Sequence, residues 1–252
     1  MIPDAVYWQQ LPQNRSEPRL TAAAVRREVN AHRDSARAAF LQRFFRTGPG
    51  EYGEGDRLLG LTVPQQRVIA KAFRELPLPE AAKLLESEFH EHRLVALLIL
   101  VDQYKRAAAA GRGELRRFYL AHLEGVNNWD LVDTSAAALA DPARFAELAV
   151  SPNVWHRRIA IVGTFSELRA GRVASTFRIA EMLLDDRHDL IHKATGWLLR
   201  EAGKICEPEL LDFLRRHYGR VPRTALRYAI ERLGAGTRKA WLRGPQPETL
   251  RE

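Results

Sequence analysis

The sequence holds a single cysteine, Cys206, among its 252 residues. That excludes an intrachain disulfide framework and any cysteine-based zinc or iron–sulfur site. No apolar run approaches the roughly 18–20 residues that a membrane-spanning helix needs, so no membrane association is expected. The first ten residues include Asp4 and lack the basic start and apolar stretch of a secretory signal. The expected location is cytoplasmic, in a bacterium the cytoplasm and nucleoid. Alternating β-branched runs, the mark of strands, are also missing.

Familiar catalytic signatures are scarce too. His90-Glu91-His92 does not have the i, i+4 histidine spacing of a zinc protease helix. The eight histidines form no cluster with carboxylates at metal-ligand spacing, and no serine stands in a nucleophile elbow. The glycines of Gly48-Pro49-Gly50-Glu51-Tyr52-Gly53-Glu54-Gly55 fit neither phosphate-binding loop, and the acids among them repel phosphate. That stretch reads as a plain loop. No metal, nucleotide or other cofactor is expected.

What is present is helix-forming and basic. Apolar residues make up 46% and charged residues 28%, an ordinary balance for one large domain or two small ones with a core of their own. Lys plus Arg number 39 against 31 for Asp plus Glu, giving +8, and the isoelectric point is near 10.0. A polyanionic partner fits that balance. Ala, Leu, Arg and Glu dominate, and apolar residues recur at three- and four-residue spacing, as at Leu94, Leu97, Leu98 and Val101. Glycine and proline punctuate the chain at Thr47-Gly48-Pro49-Gly50, Leu76-Pro77-Leu78-Pro79, Asp141-Pro142 and Ser151-Pro152. The pattern predicts many short helices.

Three segments align internally: His90-Glu91-His92-Arg93-Leu94-Val95-Ala96, Val154-Trp155-His156-Arg157-Arg158-Ile159-Ala160 and Leu190-Ile191-His192-Lys193-Ala194-Thr195-Gly196. A fourth starts at Pro222-Arg223-Thr224-Ala225. In this register His92, His156 and His192 share one position, and Arg93, Arg157 and Lys193 the next. The spacing is that of helix-pair repeats, and the expected fold is an all-α, right-handed superhelical solenoid. Equivalent cations on stacked repeats then line a concave cleft, where helix N-termini add partial positive charge. The cleft either tracks a phosphate backbone or these cations are solvated helix faces.

Three clusters carry candidate chemistry. In Asn127-Asn128-Trp129-Asp130-Leu131-Val132-Asp133, either asparagine can cap a helix that places Trp129 and Asp133 on one face, a turn apart, with Leu131 and Val132 toward the core. The pair either holds a cationic group or is a core tryptophan beside a solvated carboxylate. Arg158, three residues after Trp155, either bridges phosphate or pairs with a surface carboxylate. Gly196 costs about 1 kcal/mol inside a helix, so close approach of a neighbour or ligand should compensate. Trp197 beside it is a further aromatic candidate, or core.

The chain resembles the AlkD-like DNA alkylation-repair glycosylases, which are built of HEAT-like repeats. The resemblance rests on Trp129-Asp130-Leu131-Val132-Asp133, on Asn153-Val154-Trp155-His156-Arg157-Arg158, on His192-Lys193-Ala194-Thr195-Gly196-Trp197-Leu198-Leu199-Arg200-Glu201 and on Pro222 to Ala229. Gly55 to Pro64 adds a weaker match. The resemblance implies that Trp129, Asp133, Arg158 and Trp197 line the lesion site, and that the base need not be flipped into a pocket. It implies excision of cationic N3- and N7-alkylated purines from duplex DNA, with no obligate protein partner. Arg93, His156, Arg157, His192, Lys193, Arg200 and Arg223 are the expected DNA contacts. The alternatives are a non-catalytic repeat protein for branched or damaged DNA and a protein–protein scaffold. The segment from Thr134 to Val150 is short for the family, so a helix there should be trimmed. The expected organisation is an Arg-rich helical segment over 1–50 packed on the solenoid, a repeat domain over 51–235 and a tail over 236–252.

Overall fold

The structure, a computed structural model, describes residues 20–244. The expectations for the first ten residues, and for the outermost parts of the 1–50 and 236–252 segments, lie outside the described residues. Among the described residues the secondary structure is helical, with one isolated bridge between Arg57 and Phe89. In chain order the helices are α1 (Ala22–Ala31), α2 (Ser35–Phe44), α3 (Val63–Ala72), α4 (Leu78–Leu85), α5 (His90–Arg106), α6 (Ala109–Ala121), α7 (Trp129–Leu139) and α8 (Phe145–Ala149). There follow α9 (Val154–Gly163), α10 (Phe165–Arg169), α11 (Ala174–Met182), α12 (Asp189–Gly203), α13 (Glu207–His217), α14 (Arg223–Ala229) and α15 (Ala235–Arg243).

Local chemistry sets these boundaries. Thr62 and Gln65 close a capping box at the start of α3. Asn128 caps α7 by accepting from the Trp129 amide at 2.8 Å, and Asn153 caps α9 through the Trp155 amide at 2.8 Å. The helices pack as one solenoid-like row. α5 lies on α7, α7 on α9, α9 on α12 and α12 on α14, while α3 and α4, α8, and α11 and α13 back α5, α9 and α12 respectively. A single hydrophobic core runs through the row. Leu94 and Leu97 belong to it as their spacing predicts, and Val95 and Ala96 extend the buried surface of α5 beyond a single stripe.

Three details refine the sequence reading. Helix α8 has only five residues after a 3₁₀ turn at Pro142–Arg144, in line with the short segment expected there. Helix α1 contributes Ala22, Val25 and Val29 to the same core as the repeats. At the other end, Trp241 of α15 is buried and its carbonyl accepts the Tyr218 hydroxyl at 2.9 Å, so the described part of the 236–252 segment is packed helix.

The internal alignment shifts by one residue in the third repeat. Ser87, Ser151 and Asp186 each stand three residues before a helix start and accept, through their side chains, the amide two residues on. Counted from these turns, the fourth helical residues are Arg93, Arg157 and His192. Each donates to the carbonyl of its turn residue, at 2.6, 2.9 and 2.6 Å. The recurring basic side chain is therefore first a device that closes the turn. The fifth residues of α7, α9, α12 and α14 are Asp133, Arg158, Lys193 and Arg227, and these define the register that matters for the site.

Gly196 has a packing reason. A Cβ built on it would lie 2.4 Å from the Ala225 carbonyl oxygen and 2.6 Å from the Tyr228 Cβ. This is the close approach that its place inside α12 called for. Gly113 in α6 meets nothing nearer than the Arg117 guanidinium, at 3.5 Å. Opposite outcomes are expected from the same substitution. Gly113→Ala should stabilise by up to about 1 kcal/mol through helix propensity, whereas Gly196→Ala should destabilise by roughly 1–3 kcal/mol through overpacking. Urea denaturation of the two variants measures both.

Candidate active site

Asp133 and Arg158 meet although 25 residues separate them. Asp133 is on α7 and Arg158 on α9, at the same register of two adjacent helices. Arg158 Nε donates to Asp133 Oδ1 at 2.9 Å, and Nη2 donates to Oδ2 at 2.8 Å. The third nitrogen, Nη1, donates to the Leu190 carbonyl in the first turn of α12 at 2.6 Å. The guanidinium is 7% exposed and the Asp133 side chain 25% exposed. The carboxylate thus has one edge fixed by a planar fork and part of its surface open. Each of its oxygens keeps acceptor capacity beyond the bond to Arg158.

Burial raises the pKa of Asp133 above its ordinary value; the charge and hydrogen bonds of Arg158 oppose that rise, and Asp130 adds to it. Trp129 stands one turn before Asp133 on α7 and is half-buried. Its ring stacks on Phe45 with centroids 5.3 Å apart and meets the edge of Phe44 at 5.9 Å. Phe44 in turn stacks on Phe40 at 6.4 Å, and Phe40 and Phe44 are 59% and 54% exposed. An apolar, aromatic surface therefore begins at Trp129 and runs out along α2. Trp197 is half-buried on α12, two turns after Leu190, and its ring lies 5.9 Å from that of Phe165.

Behind Trp129 lies a buried network of charges. His90, the first residue of α5, places Nδ1 2.7 Å from Asp56 Oδ2 and Nε2 2.8 Å from Asp130 Oδ2. Arg93 Nη2 donates to Asp56 Oδ1 at 2.6 Å. Glu91 holds the loop that carries Asp56, accepting the Leu59, Gly60 and Leu61 amides at 2.8, 2.7 and 3.3 Å. Gly60 is required there: its φ is +92°, and a Cβ would meet the Asp34 carbonyl oxygen at 2.1 Å. Burial acts to lower the pKa of His90, but the charge and hydrogen bond of Asp130, with those of Asp56, outweigh it and push it up to about 10. Asp56 is held below the ordinary carboxylate value: its burial is outweighed by His90 and Arg93.

The expected DNA contacts are dispersed. Arg93 is buried, with donors on Asp56, the Ser87 carbonyl and Asn127, so it belongs to the fold and not to the cleft surface. Arg157 bonds Asp186 at 2.5 Å and the Ser151 and Pro152 carbonyls. His156 Nδ1 bonds Ser151 Oγ at 3.0 Å, while His192 closes the Asp186 turn. Arg200 pairs with Glu201 and Glu231. Lys193 is 45% exposed and pairs with Asp189 in its own helix at 2.7 Å. Arg223 is exposed and donates to the Leu242 carbonyl at 2.9 Å. Of the two roles expected of Arg158, the structure shows the pair with a carboxylate, that of Asp133. The residues that sequence reasoning missed are Phe40, Phe44, Phe45, Asp56 and His90. The weak Gly55–Pro64 match and the His90-Glu91 pair were the signals available. Among the described residues, no group of three or more His, Cys, Asp or Glu side chains is placed to hold a metal ion, and no helix is long and apolar enough to cross a membrane.

A row of stacked helix pairs with a carboxylate, a fork-bound arginine and a tryptophan on its inner helices defines a helical-repeat protein that carries a polar centre. The chain belongs to the DNA alkylation repair enzyme family, whose sequence profile matches residues 25–233. Its fold is similar to that of a solved structure described as a predicted DNA alkylation repair enzyme from Enterococcus faecalis. The TM-score is 0.61 at 14% identity, over 81% of this chain and 97% of that one. No curated protein matches the chain significantly.

The His90 clamp has a pH signature. A folded-state pKa raised from 6.5 to about 10 means that the stabilisation is complete below about 6.5 and is lost as pH rises through about 10. The stability difference between the native protein and His90→Gln should be largest below about pH 6.5 and shrink steadily toward pH 10. Denaturant titrations across that range check it.

Proposed function

We propose that the chain is a monofunctional DNA glycosylase that hydrolyses the N-glycosidic bond of cationic N3- and N7-alkylated purines in duplex DNA. The observation that carries this reading is the Asp133 carboxylate, part-exposed and held on one edge by the Arg158 fork, one turn from Trp129. Family membership supports alkylated DNA as the substrate.

Hydrolysis passes through an oxocarbenium-like sugar. An alkylated purine already carries positive charge, so the electron pair of the breaking C1′–N bond neutralises it and no general acid is needed. One carboxylate then suffices. Asp133 stabilises the developing sugar cation and accepts a hydrogen bond from the attacking water, whose oxygen bonds C1′ and whose proton passes to solvent. Arg158 holds the carboxylate in place at no reorganisation cost. Trp129 and Trp197 offer aromatic faces to the cationic sugar and base, and Phe44 and Phe40 continue that surface. Lys193, part-exposed, and Arg223, exposed, supply positive charge toward the phosphates. No lysine is assigned as an amine nucleophile, so the product is an intact abasic site.

A panel of duplexes carrying single lesions tests the proposal. Release of 3-methyladenine and 7-methylguanine is expected, with uracil, hypoxanthine and 8-oxoguanine left in place and no strand cleavage before alkali. Asp133→Asn should slow release by roughly two to three orders of magnitude while DNA binding survives. The acid limb of the rate should lie above the ordinary carboxylate range, since burial raises the pKa of Asp133. Binding should weaken steeply between roughly 50 and 200 mM salt. Salt-sensitive binding with no base release would identify a non-catalytic DNA binder, and salt-insensitive behaviour a protein scaffold.

A further inference from the structure

The hydrogen bonds of His90 fix its protonation. Both ring nitrogens lie within 2.8 Å of carboxylate oxygens, and an ionised carboxylate only accepts. Asp56 is ionised, since it also receives Arg93 and its carboxyl is held below the usual range. Asp130 sits in the first turn of α7, where the helix dipole favours an anion, and its second oxygen accepts the Leu131 amide at 2.8 Å. His90 must then donate from both nitrogens, as an imidazolium.

The charges facing it are few. The loop before α3 brings Asp56, α7 brings Asp130, and α5 itself brings Arg93, whose donors face Asp56. Glu91 is turned to the Leu59–Leu61 amides. With His90 charged the group is neutral. With His90 neutral, one negative charge is uncompensated, and Asp130 is three residues from Asp133 on the same helix. Facing Asp133 are Arg158 from α9, Asp130 from its own helix, and the uncharged Tyr119 of α6, whose hydroxyl is bonded to Ser135. Asp130 already works against ionisation of Asp133.

We infer that His90 is a positioning residue for the Asp133 centre: bridging Asp56 and Asp130 as a cation, it cancels the charge of Asp130 and so favours the ionised form of the Asp133 carboxylate. The same bridge fixes the first turn of α7, which carries Trp129. Phe45 couples the two rings, lying 5.0 Å from His90 and 5.3 Å from Trp129. The inference rests on reading Asp133 as the reacting carboxylate.

The test reads Asp133 directly. Its carboxyl carbon is titrated by carbon-13 NMR in the native protein and in His90→Gln, beside the pH dependence of 7-methylguanine release from methylated duplex DNA. In His90→Gln the Asp133 midpoint should rise by on the order of one pH unit, and the acid limb of the rate should move with it. Adding Asp130→Asn to His90→Gln should bring both back, which a merely structural role for His90 does not predict. Nitrogen-15 spectra of the native protein should show both imidazole nitrogens of His90 protonated up to about pH 8, and need no variant to fold. A neutral His90 ring at pH 7, or an Asp133 midpoint unmoved in His90→Gln, overturns the inference. Native protein that releases no base overturns the glycosylase reading alone, because the carboxyl titration is still read.

Discussion

One guanidinium joins three successive helices of the inner row. Arg158 leaves α9, forks onto Asp133 of α7 and reaches the first-turn carbonyl of α12 at Leu190. A buried arginine is expensive to desolvate unless its donors are matched, and here its Nε and both Nη nitrogens are. That constraint sets the spacing of α7, α9 and α12. It also presents a carboxylate, with one edge fixed, where a repeat protein would otherwise show only helix ends. Removing either partner leaves a desolvated charge behind, so the pair serves the fold and, in the proposed reaction, the chemistry as well.

The rest of the charge follows the same logic of pairing. Asp130 and Asp133 stand three residues apart on α7, and each faces its own cation, His90 and Arg158. The two acids thereby differ in role. Asp130 is closed off at the base of the helix by a histidine that cannot leave without exposing two carboxylates to each other. Asp133 retains solvent access. A chain with net charge +8 keeps much of its arginine in turns and internal pairs, as Arg93 and Arg157 do, so the charge available to a polyanion is smaller than the composition suggests.

What could be read from the sequence was local. The i, i+4 spacing of Trp129 and Asp133, a cap at Asn127 or Asn128, the inward Leu131 and Val132, and the need for a close neighbour at Gly196 all follow from helix geometry within one segment. The contact of Arg158 with Asp133 was out of reach, because it depends on two helices sharing a register that no local pattern states. The third repeat misled for a related reason. His192 does in its turn what Arg93 and Arg157 do in theirs, so aligning like with like moved the segment by one residue. Asp56 lies in a loop rich in glycine and acid, and only the fold brings it beneath His90. Phe44 and Phe45 sit at the end of a sparsely buried helix, where nothing in the sequence shows that Trp129 stacks against them.

The central claim is that Asp133 stabilises a positive charge developing on the sugar. Its most direct test is binding to duplexes that carry either a cationic azasugar or a neutral tetrahydrofuran in place of one nucleoside, since a site complementary to the transition state binds its charged mimic more tightly. The account predicts that the native protein prefers the azasugar duplex by about tenfold or more, and that Asp133→Asn abolishes the preference while leaving affinity for the neutral duplex in place. Equal affinity of the native protein for the two duplexes, or a preference that survives Asp133→Asn, would contradict it.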